Sequence, residues 1–311
     1  MLTFAAGSGD MHGAGKRLVN QAKSSGLFTK TLLITEEDLL NLNEDGLKLK
    51  LFADIYPRGF GLFSWKSYIL NLAMQGFFGK FDGIFYADAG CELLWNKKSI
   101  VYFKDLMDKA EALGILTFTT PIPELFYTKK DVLALLDNPD HVYSPQIEAT
   151  VIFAIPHSNS AVELIAKWWE YSSLDEFKYL LNPNPEGERK EFIEHRWDQS
   201  ILSVLLKNAG YETHPESTPR YSSNSKHISY LHYLVFTPWP IWSIRNRTGS
   251  TKLKLWQKSG WLSLALDPMY SNRFFVFRFY KYLIHIRFAV FRRLQRFTAY
   301  LKVILNPVQP K

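Results

Sequence analysis

Asp88 is the residue of this 311-residue chain whose position points most directly to chemistry. It follows residues 83–87, an apolar run with the composition of a buried strand. Open α/β sheets bind ligands beyond the carboxyl ends of their strands, so a carboxylate here would lie on a ligand-binding edge. It could bind a divalent metal or accept ribose hydroxyls, while Gly90 would let a diphosphate approach the backbone. The alternative is a plain turn in which Asp88 and Gly90 satisfy loop geometry.

Residues 58–66 place an arginine, two glycines and a lysine at the predicted start of a helix. Free backbone N–H groups and the helix dipole make such a start suitable for an anionic phosphate, with Arg58 and Lys66 as its cationic side chains. Ser64 is the predicted N-cap residue. The alternative is a solvated helix start in which Trp65 belongs to the core.

Residues 195–200 begin another predicted helix and contain Asp198 and Gln199. A carboxylate and an amide at a pocket rim could bind acceptor hydroxyls or act in general base catalysis. The alternative is an acidic residue that merely complements the helix dipole. The spacing assigns no role to Glu194 or His195.

The elements that would position these residues alternate between apolar runs and segments of helical period. Strands are predicted at residues 2–6, 31–35, 83–87, 115–118 and 146–155, and helices at 13–24, 63–78, 99–112, 158–171 and 196–208. Thr128 is predicted to cap a short helix that has Asp131 at its third position. A looser stretch precedes Gly61, and residues 215–272 have no clear pattern. The alternation predicts βαβ units and an α/β fold.

Composition and charge narrow the class of protein. Hydrophobic residues make up 47% of the chain, which excludes a disordered protein, and the single cysteine excludes a disulfide framework and favours a reducing compartment. The N-terminus lacks a signal-peptide pattern and is predicted to begin the first strand. These features predict a cytoplasmic protein.

The basic excess lies in the C-terminal tail. Nine of the 37 Lys and Arg residues and none of the 30 acidic residues follow Asp267, so residues 1–267 carry 28 basic against 30 acidic side chains. A pI near 9.2 therefore does not indicate nucleic-acid binding. On a helix, the following tail residues fall within about 60° of one another: Arg278, Lys281, His285, Arg292 and Arg296.

Residues 273–305 pair that basic face with a Phe-, Tyr- and Leu-rich face and no acidic residue, a pattern typical of a helix on anionic lipid. A helix packed on the catalytic domain is one alternative, and RNA binding is another. No 18-residue stretch there is free of charge, so it is not predicted to span a membrane.

Residues 59–66, 85–92 and 195–201 together resemble the ordered motifs of bacterial and viral GT-A glycosyltransferases of surface-polysaccharide pathways. The resemblance covers about residues 2–215 and implies a GT-A-like fold, a Rossmann-like mixed sheet flanked by helices. It also implies that Ala6 and Gly7 line the nucleotide. By the same resemblance, Gln146 and Glu148 face a sugar, and Asp198 and Gln199 approach the reacting sugar.

The resemblance also bears on a metal, Mn²⁺ or Mg²⁺. The D-x-D motif of the family would align with Asp88-Ala89-Gly90, where the second aspartate is missing. Asp88 would then bind the metal alone or bind ribose instead. GT-A enzymes often supply a later histidine, for which His214 and His227 are candidates, although a lone histidine is more often structural.

The sequence thus predicts a glycosyltransferase that moves a sugar from a nucleoside diphosphate sugar to a glycan or lipid-linked acceptor. Residues 1–215 would be its catalytic domain, 216–272 a Trp- and Pro-rich extension, and 273–305 an anchor on the cytoplasmic face of a membrane. One alternative is a non-catalytic membrane-surface scaffold that retains the fold. Another is a nucleotidyltransferase, which the glycines and basic residues at 7–17 favour.

Overall fold

Apolar runs within the first 154 residues form the main sheet of the computed structural model, which describes residues 1–7, 9–40, 42–214, 239–243 and 245–250. The strands of these residues, in chain order, are β1 (Leu2–Ala5), β2 (Leu32–Thr35), β3 (Ile84–Ala87), β4 (Glu92–Leu93), β5 (Ile115–Leu116), β6 (Thr119–Pro123), β7 (Pro145–Ile147), β8 (Val151–Ala154) and β9 (Ile241–Trp242). Within this described part, the main sheet has the order β2-β1-β3-β8-β5. The predicted mixed α/β class is confirmed.

Strand direction decides which loops meet at the edge of the sheet. β1 runs parallel to both β2 and β3, whereas β8 runs antiparallel to β3 and to β5. The carboxyl ends of β1, β2 and β3 therefore lie at the same edge as the amino end of β8. The segments that follow Ala5, Thr35 and Ala87 are brought together there with the segment that precedes Val151.

Helices cover both faces of this sheet. In chain order they are α1 (Gly9–Ser25), α2 (Glu36–Leu40), α3 (Glu44–Ile55), α4 (Gly59–Leu62), α5 (Trp65–Met74), α6 (Lys97–Leu113), α7 (Glu124–Tyr127), α8 (Lys130–Leu133), α9 (Asn159–Phe177) and α10 (Trp197–Asn208). Successive residues of β3 enter different cores, Tyr86 with α5, α9 and α10, and Phe85 with α1 and α6. This alternation follows from the twofold period of a strand, and it explains why β3 is apolar throughout.

The stretch before Gly61 contains α2 and α3, which the sequence pattern does not predict. Asn43 caps α3 by accepting hydrogen bonds from the backbone N–H groups of Asp45 and Gly46. The buried face of α3 includes Leu49 and Phe52, but its solvent side also carries apolar residues: Leu47, Leu51 and Ile55 are exposed. Apolar residues on both faces hide the helical period from the sequence.

One predicted helix cap is confirmed and the other is wrong. Ser64 is the N-cap residue of α5, although its side chain makes no capping hydrogen bond, whereas Lys129 rather than Thr128 precedes α8. The hydroxyl of Thr128 instead donates to Oε2 of Glu124 inside the protein. In each case a buried environment replaces the solvated helix start that the capping rule assumes.

The predicted strand at 146–155 is divided into β7 and β8. β7 pairs with β6 in a small sheet, and β8 joins the main sheet. The hydroxyl of Thr117 donates to the backbone oxygens of Glu148 and Val151 and so fixes the crossing between the two strands. The sequence pattern does not reveal this division into two strands, because apolar residues lie on either side of the crossing.

A part of the Trp- and Pro-rich extension packs with the N-terminal residues. β9 pairs antiparallel with β4, and Trp239 and Ile241 are buried in the core on the α1 and α6 side of the sheet. The predicted basic helix at 273–305 and His227 lie outside the described residues. Within the part of the chain that the structure describes, no helix is both long and apolar enough to cross a membrane.

Candidate functional site

A buried lysine lies between two carboxylates at the edge of the main sheet. The Nζ atom of Lys66 is 3.1 Å from Oδ1 of Asp88 and 3.1 Å from Oδ2 of Asp198. Lys66 belongs to the first turn of α5, Asp88 follows β3, and Asp198 belongs to the first turn of α10. Three residues that the sequence singles out separately therefore form one ion cluster, called the Lys66 cluster below.

The surroundings of Lys66 satisfy its ammonium group. The ammonium donates a hydrogen bond to the backbone oxygen of Ala149 at 3.0 Å, in addition to its ion pairs with the two carboxylates. The rings of Phe63, Trp65 and Tyr86 each lie 5.6 Å from Nζ and complete the enclosure. Lys66 is only 3% exposed in this arrangement, and its role as a cation for a diphosphate stays a prediction.

The protonation states of the Lys66 cluster follow from burial and charge. Burial lowers the pKa of Lys66, but the carboxylates of Asp198 and Asp88 more than offset this, and the net effect raises its pKa. Burial raises the pKa of Asp198 to about 6, against the opposing effect of Lys66. At pH 7 the ammonium is charged and Asp198 is ionised, with a basicity well suited to general base chemistry.

Asp88 is the member of the cluster that solvent reaches. Its side chain is 32% exposed, compared with 5% for Asp198. The hydroxyl of Tyr86 donates to Oδ1 of Asp88 at 2.5 Å, and burial together with Asp88 raises the pKa of Tyr86 well above 10, which keeps that hydroxyl protonated. The backbone N–H of Asp88 donates to the oxygen of Thr150, which ties the carboxylate to the neighbouring strand. A ligand at this edge would meet Asp88 first.

Arg17 of α1 holds the loop that carries Asp88. Its buried guanidinium donates to the backbone oxygens of Ala89 and Cys91, both at 2.9 Å, and to those of Asn246 at 3.1 Å and Thr248. One side chain thus fixes the loop after β3 and the segment 245–250 together. Arg17 is not predictable from local sequence pattern, because its partner oxygens lie 72 to 231 residues away along the chain.

The close approach at Gly90 is made by the protein itself. A Cβ atom at this position would lie 3.3 Å from Cα of Arg245, and the N–H of Asn246 donates to the oxygen of Gly90 at 2.9 Å. The absent side chain therefore makes room for residues 245–250. The sequence-based expectation was that a diphosphate would occupy this space.

Ala6 and Gly7 follow β1 at the same edge, opposite a carboxylate at the end of β2. The N–H of Gly7 donates to Oε1 of Glu36 at 3.0 Å, and Nε2 of His12 lies 2.7 Å from Oε2. The side chain of Glu36 is 21% exposed. Glu36 directly follows β2 as Asp88 directly follows β3, and it is a candidate that the sequence motifs do not include.

Gln199 rests on a buried polar network. Its Nε2 donates to Oε1 of Gln146 at 2.6 Å, and Nε2 of Gln146 lies 3.0 Å from Oγ1 of Thr128 and 3.2 Å from Oγ of Ser200. Gln146 is fully buried, whereas Gln199 is half-buried. Gln146 lies beneath Gln199 and orients its amide, rather than facing the edge of the sheet itself.

Arg58 is exposed and stacks on the residue that precedes Asp198. Its guanidinium carbon lies 4.4 Å from the centroid of the Trp197 ring. Trp197 has a φ of 39°, and Phe60 and Phe63 in the facing segment have φ values of 52° and 65°. Left-handed backbone at large side chains is costly and is concentrated at functional sites, because the surrounding structure must enforce it. Arg58 is thus a pre-positioned, solvent-facing cation beside the Lys66 cluster.

Two histidines near the predicted motifs have structural surroundings. His214 hydrogen-bonds through Nε2 to the hydroxyl of Tyr102 at 3.1 Å, and its ring packs against Phe118 and Trp239. Burial lowers the pKa of His195 to about 3, and its Nε2 bonds to the oxygen of Tyr179 at 2.8 Å. These contacts place neither His214 nor His195 beside the Lys66 cluster.

No protein-family model matches the chain, and no curated protein matches it. Solved structures similar to it include mouse xyloside xylosyltransferase 1 in its apo form, with 12% identity, 79% of this chain and 97% of that chain covered, and a TM-score of 0.41. The apo bifunctional glycosyltransferase WbbM has 10% identity, 78% and 45% coverage, and a TM-score of 0.40, so the chain spans less than half of that protein.

A third similar structure is the galactosyltransferase LgtC in complex with donor and acceptor sugar analogs, with 11% identity, 78% and 87% coverage, and a TM-score of 0.41. At such identities and TM-scores, the similarity does not support any statement about the activity of this chain. Function therefore has to be argued from the chemistry of the edge of the sheet.

The residues present do not fit a divalent metal at Asp88. Metal ligands are oxygen or nitrogen atoms that face the ion, whereas Oδ1 of Asp88 already forms an ion pair with Lys66 and accepts from the hydroxyl of Tyr86. The described residues contain no group of three or more His, Cys, Asp or Glu side chains able to hold a metal ion. A metal next to Lys66 would also be repelled by its charge.

Proposed function

We propose that this chain is a GT-A-like glycosyltransferase that moves a sugar from a nucleoside diphosphate sugar to a glycan or lipid-linked acceptor. The observation that carries the proposal is the Lys66 cluster, which places Asp88 and Asp198 at the carboxyl edge of β1, β2 and β3. Ligands of open α/β sheets bind at this edge, and sugar transfer needs groups that hold and orient hydroxyls there.

The nucleoside would bind between the ends of β1 and β2. Ala6 and Gly7 leave the backbone accessible, and the carboxylate of Glu36 is fixed by Gly7 and His12. An acidic residue after the second strand is the usual partner of ribose hydroxyls in doubly wound folds. This assignment gives the nucleoside a place beside Asp88.

The diphosphate would bind Arg58, the exposed cation beside the Lys66 cluster. Stacking on Trp197 fixes the plane of the guanidinium, which lowers the entropy lost when it forms a bidentate pair with a phosphate. The leaving group of the transfer is the nucleoside diphosphate, so a cation at this point also stabilises the charge that develops on it.

Asp88, Asp198 and Gln199 would act at the sugar. During transfer, the bond between the anomeric carbon and the diphosphate oxygen breaks, a bond to the acceptor oxygen forms, and the acceptor hydroxyl loses a proton. Asp198, with a pKa of about 6, is ionised at pH 7 and basic enough to orient a hydroxyl of the sugar or acceptor. Gln199 supplies an amide oriented from below by Gln146.

The acceptor would lie at a membrane. The basic, aromatic residues 273–305 would attach the enzyme to anionic lipid on the cytoplasmic face, where a lipid-linked acceptor of surface-polysaccharide or glycoconjugate synthesis is reached. The acid-free composition of this segment supports the proposal, because carboxylates would be repelled from such a surface.

Calorimetric titration with a panel of UDP- and GDP-sugars, with and without Mn²⁺, tests donor binding. We expect at least one donor to bind and to be hydrolysed slowly without an acceptor. Arg58→Gln should weaken that donor roughly tenfold, since a charge-assisted hydrogen bond is lost, whereas Lys80→Gln at an exposed position should not. Silence across all donors would contradict the proposal and favour the non-catalytic scaffold.

A further inference from the structure

The Lys66 cluster has the arrangement of a cation bridged by two carboxylates. Asp88 and Asp198 come from different elements, and their oxygens meet the same ammonium at equal distances of 3.1 Å. Two carboxylates that face one point repel each other. The positive charge of Lys66 between them offsets this repulsion.

The ammonium is built into the fold rather than borrowed from solvent. It donates to the backbone oxygen of Ala149 and forms ion pairs with Asp88 and Asp198, and Lys66 is only 3% exposed. Three aromatic rings at 5.6 Å close the remaining sides: those of Phe63, Trp65 and Tyr86. A divalent ion could bind between these carboxylates only by displacing the buried ammonium of Lys66.

We infer that Lys66 takes the place of a divalent metal at this site, so that the donor binds and reacts without one. The inference rests on the proposed function for its catalytic part, but its metal-binding part stands on the Lys66 cluster alone. Lys66 acts as a positioning residue that holds Asp88 and Asp198 together. Arg58 is then the cation that meets the diphosphate.

The first test measures Mn²⁺ binding to the full wild-type chain by the loss of the free Mn²⁺ electron paramagnetic resonance signal, alone and with UDP or GDP. We expect no binding beyond that of the nucleotide itself. In the calorimetric titration, the donor dissociation constant should agree within about twofold between EDTA and Mn²⁺, because a metal contribution to phosphate binding would shift it far more. Stoichiometric Mn²⁺ binding, or a donor that binds only with Mn²⁺, would overturn the inference.

A second test converts the site. Lys66→Met keeps the length of the side chain but leaves Asp88 and Asp198 without their cation, so we expect Mn²⁺ binding to appear and turnover to fall about 100-fold or more. Lys129→Met is the matched control, because it also removes a buried ammonium, one that bonds to the backbone oxygens of Lys178 and Leu181. It should gain no Mn²⁺ binding.

The two tests separate the inference from the proposed function. If no donor binds under any condition, the proposed function fails, while the Mn²⁺ measurement on the wild type still decides the metal-binding part. If Lys66→Met does not fold, the comparison of EDTA with Mn²⁺ on the wild type remains decisive. A folded Lys66→Met variant with wild-type turnover and no Mn²⁺ binding would contradict the role given to Lys66.

Discussion

Two titratable side chains three residues apart have different surroundings. Asp198 joins the Lys66 cluster, where burial raises its pKa to about 6, whereas His195 points its Nε2 at the backbone oxygen of Tyr179. The N–H of Lys129 approaches Nδ1 of His195 at 3.4 Å, so the neutral tautomer has one donor and one acceptor correctly matched. The spacing of this segment cannot separate the two roles, because they depend on partners elsewhere in the chain.

His195 should make folding stability depend on pH. Burial lowers its folded-state pKa to about 3, while the unfolded chain binds a proton below about 6.5, so the unfolded state takes up more protons as pH falls. The contribution of His195 to the free energy of unfolding is fully present above the unfolded-state pKa of about 6.5. It should decrease by about 2 kcal/mol between pH 6.5 and pH 5. Urea unfolding at the two pH values measures this.

His195→Gln supplies the comparison for that measurement. The variant is expected to be less stable than the wild type at neutral pH, because the matched bonds of the imidazole are disturbed. Its loss of stability between pH 6.5 and pH 5 should nevertheless be smaller than that of the wild type. The difference should be most of the about 2 kcal/mol that His195 contributes. An equal loss in both proteins would show that another group controls the acid limb.

At the scale of elements, the sequence predicts the parts of the sheet that have a simple pattern. β1, β2 and β3 lie within one or two residues of their predicted bounds, because buried strands are short, continuous apolar runs. The sequence pattern does not predict α3, since apolar residues on both of its faces hide the helical period. It also does not predict the division between β7 and β8, which arises because the two strands pair in different sheets. Of the site, the predicted motifs supply Lys66, Asp88 and Asp198, but not their mutual contacts.

Arg17 and Glu36 show why the remainder of the site is not predictable from one sequence. Glu36 follows a strand as Asp88 does, yet its importance depends on the parallel pairing of β2 with β1. Arg17 lies in the middle of α1, and its partners are backbone oxygens, which every sequence offers everywhere. Contacts between distant segments, rather than local pattern, assign these two residues to the site.

Arg17 gives the prediction that belongs to this scale. Arg17→Met removes the hydrogen-bond donor of three buried and one part-buried backbone oxygens, so we expect a loss of about 3 kcal/mol in the free energy of unfolding. Binding of the sugar donor should also weaken as the Asp88 loop loosens. Thermal unfolding and calorimetry measure the two effects. Lys16→Met, an exposed neighbour on α1, should change neither. Unchanged donor affinity in a destabilised Arg17→Met protein would show that the loop is held by other contacts.

At the scale of the whole molecule, the charge is divided between a nearly balanced body and a basic tail. Residues 1–267 carry 28 basic and 30 acidic side chains, while the last 44 residues carry no acid. If the positive charge were spread evenly, an anionic partner would be attracted to the whole surface. Because the excess lies in the tail, an anionic partner is attracted to the tail instead. The proposed attachment to lipid depends on that division.

Vesicle co-sedimentation of the full chain tests the attachment. The wild type should bind vesicles that contain anionic lipid, and the combined change of Arg278, Lys281, Arg292 and Arg296 to Gln should weaken binding on the order of 100-fold or more, at about 1 kcal/mol for each basic residue. Neutral vesicles, and anionic vesicles in high salt, provide the controls. Binding that is insensitive to these substitutions and to salt would contradict the proposed anchor.

The central claim is that the Lys66 cluster is the site of sugar transfer. Its most direct test is the rate of nucleoside diphosphate release from the best-binding donor, in the presence of EDTA. The rate is compared for the wild type, Asp88→Asn, Asp198→Asn and the control Asp131→Asn, an exposed residue in the first turn of α8. We predict steady release by the wild type and the control, and a rate lower by about 100-fold or more in both cluster variants. Equal rates in all four proteins, or no release by any of them, would contradict the claim.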